Sequence, residues 1–236
     1  METDVAPDRL RDDLLSMLAA GRAAEVELFG ALDPAQRENA PPGEWSPKDV
    51  LAHLAAWRDR QVERITRASG GEPADSNANE PVDTINARLH EERAGWSWEQ
   101  AAAEAEASAT RLSEAVRKVE ADLLQDSDLV GGVVGNGPNH DLEHLPAIGR
   151  LTGLEGRADE LAQQISVTVQ GGSFSDFDAG TMVYNLACFA ARDGRLSAAR
   201  PMLRRAFALR LDLRDFAKED PDLLELRDEL AQLTPA

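Results

Sequence analysis

The chain has 236 residues, with 43 Asp and Glu against 25 Lys and Arg, for a formal charge of −18. That length allows one large domain or two modest ones with a real core. The charge argues against a nucleic-acid partner, because Arg200, Arg204, Arg205 and Arg210 are separated by apolar positions and followed by acidic ones.

Leu and Ala dominate the apolar residues while β-branched and aromatic ones are sparse, which predicts an all-α fold. Cys188 is the single cysteine, so no intrachain disulfide can form. No stretch approaches the ~20 apolar residues of a membrane span. Met1-Glu2-Thr3-Asp4 has neither a basic nor an apolar leader, and a cytoplasmic location is expected.

In chain order, a first helix is predicted from about Pro7 to Leu32. Leu10, Leu14, Met17, Leu18, Leu28, Phe29 and Leu32 return on it at three- and four-residue steps. Asp33-Pro34 and Ala40-Pro41-Pro42-Gly43 break it. Ser46, Pro47 and Asp49 form a start signal for the second helix, with Trp45 and Val50 placed to staple across the cap. Val50, Leu54, Trp57 and Ile65 then face inward, and Arg58, Asp59, Arg60, Glu63 and Arg64 outward, until Gly70-Gly71. After a polar loop and a segment near 82–94, Ser97 to Gln100 caps a third helix carrying Ala105, Ala109, Leu112, Val116, Val119 and Leu123. Gly131-Gly132 and Gly135-Asn136-Gly137 read as a flexible connection, a lid over the bundle end. It is a poor phosphate loop, with no strand before it and no Lys-Ser/Thr after it. A fourth helix opens near Pro138 and carries Leu142, Leu145, Ile148 and Leu151. Thr152 to Gly156 is the expected boundary between residues 1–153 and 157–236. Beyond it, helices are expected from about Arg157, over 179–192 and 196–211, and from Pro221 to about Leu233.

The stretch from Trp45 to Trp57, WSPKDVLAHLAAW, resembles the second helix of the DinB-like superfamily, and within it the ClbS/DfsB group. Asp83 to Arg88 with Glu91 to Arg93, and His140 to Pro146, agree in order and spacing. The resemblance covers about residues 7–152. It implies an antiparallel four-helix bundle that commonly holds a divalent metal through one side chain of the second helix and two of the fourth. It also implies thiol-dependent transferase or isomerase chemistry or, in the ClbS/DfsB group, self-protection against a reactive compound. The region after 157 resembles a tetratricopeptide helix pair through Leu186, Ala187, Gly194, Ala199, Leu203 and Ala206. Ala190 and Leu203 stand at its tyrosine and phenylalanine positions. One repeat cannot bury its own faces, so a domain docked on the bundle is expected.

Three of four histidines fall where the resemblance places ligands. His140 and His144 are one helical turn apart on one face, and His53 can join them if the second and fourth helices are neighbours. Three neutral imidazoles with an open position suit Zn²⁺ or Ni²⁺, with Fe²⁺ also admitted. Pro146 lacks the N–H for Leu142 and predicts a kink or late start of the fourth helix beside the pair. His90 reads either as an acid or base of the same cavity or as a partly exposed helix residue. Trp57 and Asn86, and Asn77 in the polar loop, are candidates for a substrate pocket, although core packing for Trp57 and polar helix or loop roles for the asparagines explain them as well. Trp45, Trp96 and Trp98 read as anchors, and Cys188 as a small buried thiol. Three functions compete: a metal-dependent enzyme acting on an electrophilic small molecule, a metal-free protective pocket protein, and a helical adaptor recruiting a protein through the C-terminal helices. A homodimer fits any of them.

Overall fold

A computed structural model describes residues 7–40, 44–73 and 80–233, and every regular element among them is helical. The elements are α1 (Pro7–Gly30), the short α2 (Pro34–Arg37), α3 (Pro47–Ser69), α4 (Val82–Arg93), α5 (Trp98–Lys118), a 3₁₀ turn Ala121–Gln125, α6 (Ser127–Gly135), α7 (Pro138–Thr152), α8 (Gly156–Gln170), α9 (Asp176–Arg192), α10 (Leu196–Leu209), α11 (Leu213–Ala217) and a kinked 3₁₀ segment Pro221–Gln232. None of these helices is long and apolar enough to cross a membrane.

The helix starts follow from local chemistry. Ser46 Oγ accepts the Asp49 N–H, and the Asp49 carboxylate accepts the Ser46 N–H at 3.2 Å. Ser97 and Gln100 repeat the arrangement at the start of α5. Each box satisfies N–H groups that would otherwise be orphaned. Asp126 accepts from Asp128 and Leu129 to start α6, which overturns the expectation of a flexible glycine connection. Val130, Val133 and Val134 alternate with the glycines on a helical period and are buried, and that burial outweighs the glycine entropy cost. The helix α7 starts at Pro138, before the histidine pair, and continues through Pro146 to Thr152, where the late start or kink was expected.

The chain divides into two compact units. One spans Leu14–Leu161; the other takes the described residues up to Asp13 and those from Ala162 onward. In the first unit α1, α3, α5 and α7 form the bundle around Leu14, Met17, Leu28, Leu54, Leu112 and Leu145, all nearly inaccessible. Helix directions follow from cross-contacts. The α1–α5 pair is antiparallel, since Phe29 meets Trp98 and Arg22 meets Glu106. The α3–α7 pair is also antiparallel, since His53 meets His140 and Gln61 meets Asn136. In contrast, α1 and α7 run the same way, with Gly21 against Asp141 and Gln36 bonded to the Leu151 carbonyl. The cause is α4. It runs back along α3, Trp57 to Asn86 and Asp49 to His90, so α5 begins at the end where α3 began.

The second unit has its own core, with α9 and α10 packed together and the Pro221–Gln232 segment against α9. Leu203, Ala206, Leu223 and Leu226 are fully enclosed. Gly194, at φ +71°, turns the chain between the two helices, where the Arg195 N–H reaches the Ala190 carbonyl at 2.8 Å. Arg200 holds Glu229 through two hydrogen bonds of 2.7 and 2.8 Å.

Gly21 marks the tightest approach within the bundle. A Cβ there would overlap the Asp141 carboxylate, which is itself held by Arg58. Gly21→Ala is expected to cost about 1–3 kcal/mol from overpacking, partly offset by better helix propensity. Gly131→Ala in α6, where nothing lies within 4 Å of the added carbon, is expected to stabilise by up to about 1 kcal/mol. Thermal melts of the two variants check the pair of signs.

Candidate metal centre

The second turn of α3 and the first two turns of α7 bring three imidazoles together. His53 Nε2 lies 2.9 Å from His140 Nε2. Ring centroids are 4.7 Å apart for His53–His140, and 5.0 Å for both His53–His144 and His140–His144. One nitrogen from each ring falls within 4.8 Å of the others. His53 is 7 % and His140 8 % exposed, and His144 is half-buried. The cluster therefore has two deep ligands and one nearer solvent.

Burial holds the two deep rings neutral. The pKa of His53 is lowered to about 3, chiefly by loss of hydration and further by proximity to His144 and His90. His140 is pushed well below the ordinary imidazole value by burial first, then by His144 and His53. The unfolded chain binds protons on these rings near pH 6.5, whereas the folded metal-free chain does not. This contribution to stability is fully present above about pH 6.5 and is lost as pH falls toward 3. The urea midpoint of metal-free protein is expected to decline across that window, and His53→Leu to make the decline shallower. An equal slope in the variant would contradict the assignment.

The residues fit a cation. Two imidazole nitrogens bound about 2.0–2.1 Å from one tetrahedral ion stand about 3.3–3.4 Å apart, so the His53 and His140 rings, at 2.9 Å, would part by about half an ångström to take one. Neutral lone pairs converging in a site with little water are what a borderline divalent ion selects. His140 Nδ1 is buried and has no hydrogen-bond partner among the described residues, so its outward edge lacks the acceptor that often orients a ligating histidine.

Aromatic rings wall the cluster. Trp45 sits edge-on to His53 at 4.5 Å and stacks on His90 at 5.5 Å with 5° between planes. His90 is 40 % exposed in its side chain and 3.8 Å from Asp49. It lines, with His53, Asp49, Ala52, Leu89 and Arg93, a space of about 10 Å³, room for about one water. Trp57 lies 6.3 Å from His53 and 6.0 Å from His140, and its indole N–H donates to Asn86 Oδ1 at 3.0 Å. Trp57 and Asn86 thus satisfy each other beside the cluster, while Asn77 lies outside the described residues.

Beneath the rings is a charge network the sequence reading placed wrongly. Arg58, assigned to the outer face, is 3 % exposed and bonds Asp141 at 3.0 Å and Glu25. Glu25 is inaccessible and also takes Arg22 at 2.7 Å, which reaches Glu106 at 2.8 Å. Burial raises the Asp141 carboxyl, and the Arg58 guanidinium opposes that shift. The network joins α1, α3, α5 and α7. A signal was present: the apolar stripe of α1 passes through positions 21 and 25, so Gly21 and Glu25 stand on its buried face.

Cys188, Asp220 and Asp222 also place ligand atoms within 4.8 Å of one another. That group is satisfied internally: the Tyr184 hydroxyl donates to Asp220 at 2.6 Å, and Arg192 lies 3.7 Å from Asp222. Burial and the two carboxylates push the Cys188 thiol up, away from thiolate reactivity.

A family model, that of the DinB superfamily, matches residues 17–145, more than half of the chain. The match takes in His53, His140 and His144, stops short of the C-terminal helices and does not distinguish the ClbS/DfsB group. No curated protein and no solved structure matches the chain.

Proposed function

Because the chain belongs to the DinB superfamily and its bundle gathers His53, His140 and His144 in one buried cluster, we propose that it is a divalent-metal enzyme acting on an electrophilic small molecule. The observation that carries this reading is the convergence of three ring nitrogens, two of them held neutral by burial. A bound Zn²⁺ or Ni²⁺ ion would supply Lewis acidity toward water or a thiol sulfur. The protein's own part is to hold the ligands dry and oriented. Trp45 and Trp57 exclude water from two sides, and His144 marks the side nearer solvent. His90, beside Asp49 and nearer the surface, is placed to carry a proton at the edge of the site.

A metal-free pocket protein of ClbS/DfsB kind is the competing reading, favoured by the His53–His140 contact at hydrogen-bond distance. Metal analysis of protein purified without a polyhistidine tag separates the two. The metal reading expects about one ion per chain, together with consumption of a small thiol when epoxide or other electrophile panels are added. Substoichiometric metal that is unchanged by His140→Ala and His144→Ala selects the metal-free reading.

A further inference from the structure

We propose, on the reading of the histidine cluster as a reaction site, that Trp45 is its access gate: an indole that swings off His53 to admit a small molecule and is latched shut by its stack on His90. His53 is caged by four rings. Between centroids, Trp45 stands at 4.5 Å, His140 at 4.7 Å, His144 at 5.0 Å and Trp57 at 6.3 Å. The space enclosed beside His53 and His90 is about 10 Å³, room for about one water and too small for an organic electrophile. A reaction at His53 therefore needs one wall to yield.

Three of the walls are anchored. His140 and His144 lie inside α7, where the preceding turn restricts their rotamers. Trp57 lies inside α3, donates its N–H to Asn86 at 3.0 Å, and carries the Arg60 guanidinium 5.3 Å from its ring.

Trp45 differs on each count. It precedes the Ser46 cap, outside the helix, so no helical turn limits its side-chain torsions. Its ring is half-buried, and its indole N–H makes no hydrogen bond with a described residue. Beyond the edge contact with His53, what holds it is the face of His90, 5.5 Å away with 5° between planes. That imidazole comes from α4 and is itself partly exposed. A single aromatic pair is a latch that thermal motion opens, worth about two- to tenfold in the closed population.

Diethyl pyrocarbonate, a small electrophile that acylates neutral imidazole and is larger than the enclosed space, reads the gate. Its reaction with His53 is followed by peptide mass spectrometry on the full chain, metal-free and at neutral pH, where burial keeps His53 unprotonated in every variant that folds. His90→Leu keeps most of the volume and loses the flat ring, and is expected to speed the reaction by about two- to tenfold. His90→Phe restores a ring to stack on and is expected to hold the wild-type rate. Trp45→Ala is expected to speed it by at least about tenfold, with Trp45→Leu in its place if that variant does not fold. Trp57→Phe, on an anchored wall, is expected to stay within about threefold of wild type. A rise in Trp45→Ala with none in His90→Leu would make Trp45 a fixed cover and overturn the gate, as would an equal rise in Trp57→Phe or no rise in any variant. Because the labelling uses no metal, a chain that binds no ion would sink the metal reading and leave the gate to stand or fall on these rates.

Discussion

Replacing Arg58 by methionine is expected to lower the free energy of unfolding by about 3–5 kcal/mol, the cost of leaving a buried charge without its partner. Arg58 is 3 % exposed, and its two partners are among the most deeply buried carboxylates of the chain, Glu25 at 0 % and Asp141 at 2 %. Methionine fills much of the same volume, so the loss is electrostatic rather than a cavity. The two carboxylates do not suffer equally. Glu25 keeps Arg22 at 2.7 Å, whereas Asp141 has no other cation within ion-pair distance among the described residues. The double variant Arg58→Met with Asp141→Asn removes the stranded charge and is expected to be more stable than Arg58→Met alone. Urea denaturation of the three proteins reads the outcome. A loss under about 1 kcal/mol for Arg58→Met would mean that the network is no more than a solvated surface pair.

Changing any one of His53, His140 and His144 to alanine is expected to weaken Zn²⁺ or Co²⁺ binding by at least about a hundredfold, beyond the ten- to hundredfold typical of a group that only supports a ligand. His90→Ala is expected to leave affinity within about threefold, because His90 reaches the cluster only across Trp45 and the small space beside His53. The visible spectrum of the Co²⁺ form gives an independent reading, since loss of one imidazole changes coordination as well as affinity. Equal affinities in wild type and His140→Ala would remove His140 from the ligand set. His140 is the informative member, since its Nε2 lies 2.9 Å from that of His53 and the next residue of α7, Asp141, carries the ion pair with Arg58 of α3.

That adjacency gives the buried network a structural role in the site. Arg58 follows His53 by five residues on α3, and Asp141 stands between His140 and His144 on α7. Their ion pair and the histidine cluster therefore fix the same helix pair at two faces. Gly21 permits the arrangement by leaving Asp141 room against α1.

Residues near in sequence announced most of the helices. The Ser46–Pro47–Asp49 and Ser97–Gln100 boxes start α3 and α5 because a cap is made by groups three residues apart. The three- and four-residue steps of Leu14, Met17, Leu18 and Leu28 mark a buried stripe because the helix period is a property of the backbone alone. The His140–His144 pair was legible for the same reason, and His53 through the motif around it.

What depended on contacts across the chain was not legible. Arg58 looks outward by its charge, although it stands four residues after Leu54 and seven before Ile65 on the buried stripe, and carboxylates 33 and 83 residues away are what let a guanidinium occupy that face. The glycines at 131, 132 and 135 read as a loop by propensity, yet four buried apolar residues between Leu129 and Val134 make them a helix once α3 and α7 are there to pack against, and only Asn136-Gly137 stays a turn. The course of α5 likewise depends on α4 folding back along α3, a choice made by Ile85, Leu89 and Asn86 meeting Ala56 and Trp57. A periodic pattern names the face of a helix that is buried, but the partner that buries it, and the charge it must then neutralise, are set by which distant segment arrives there.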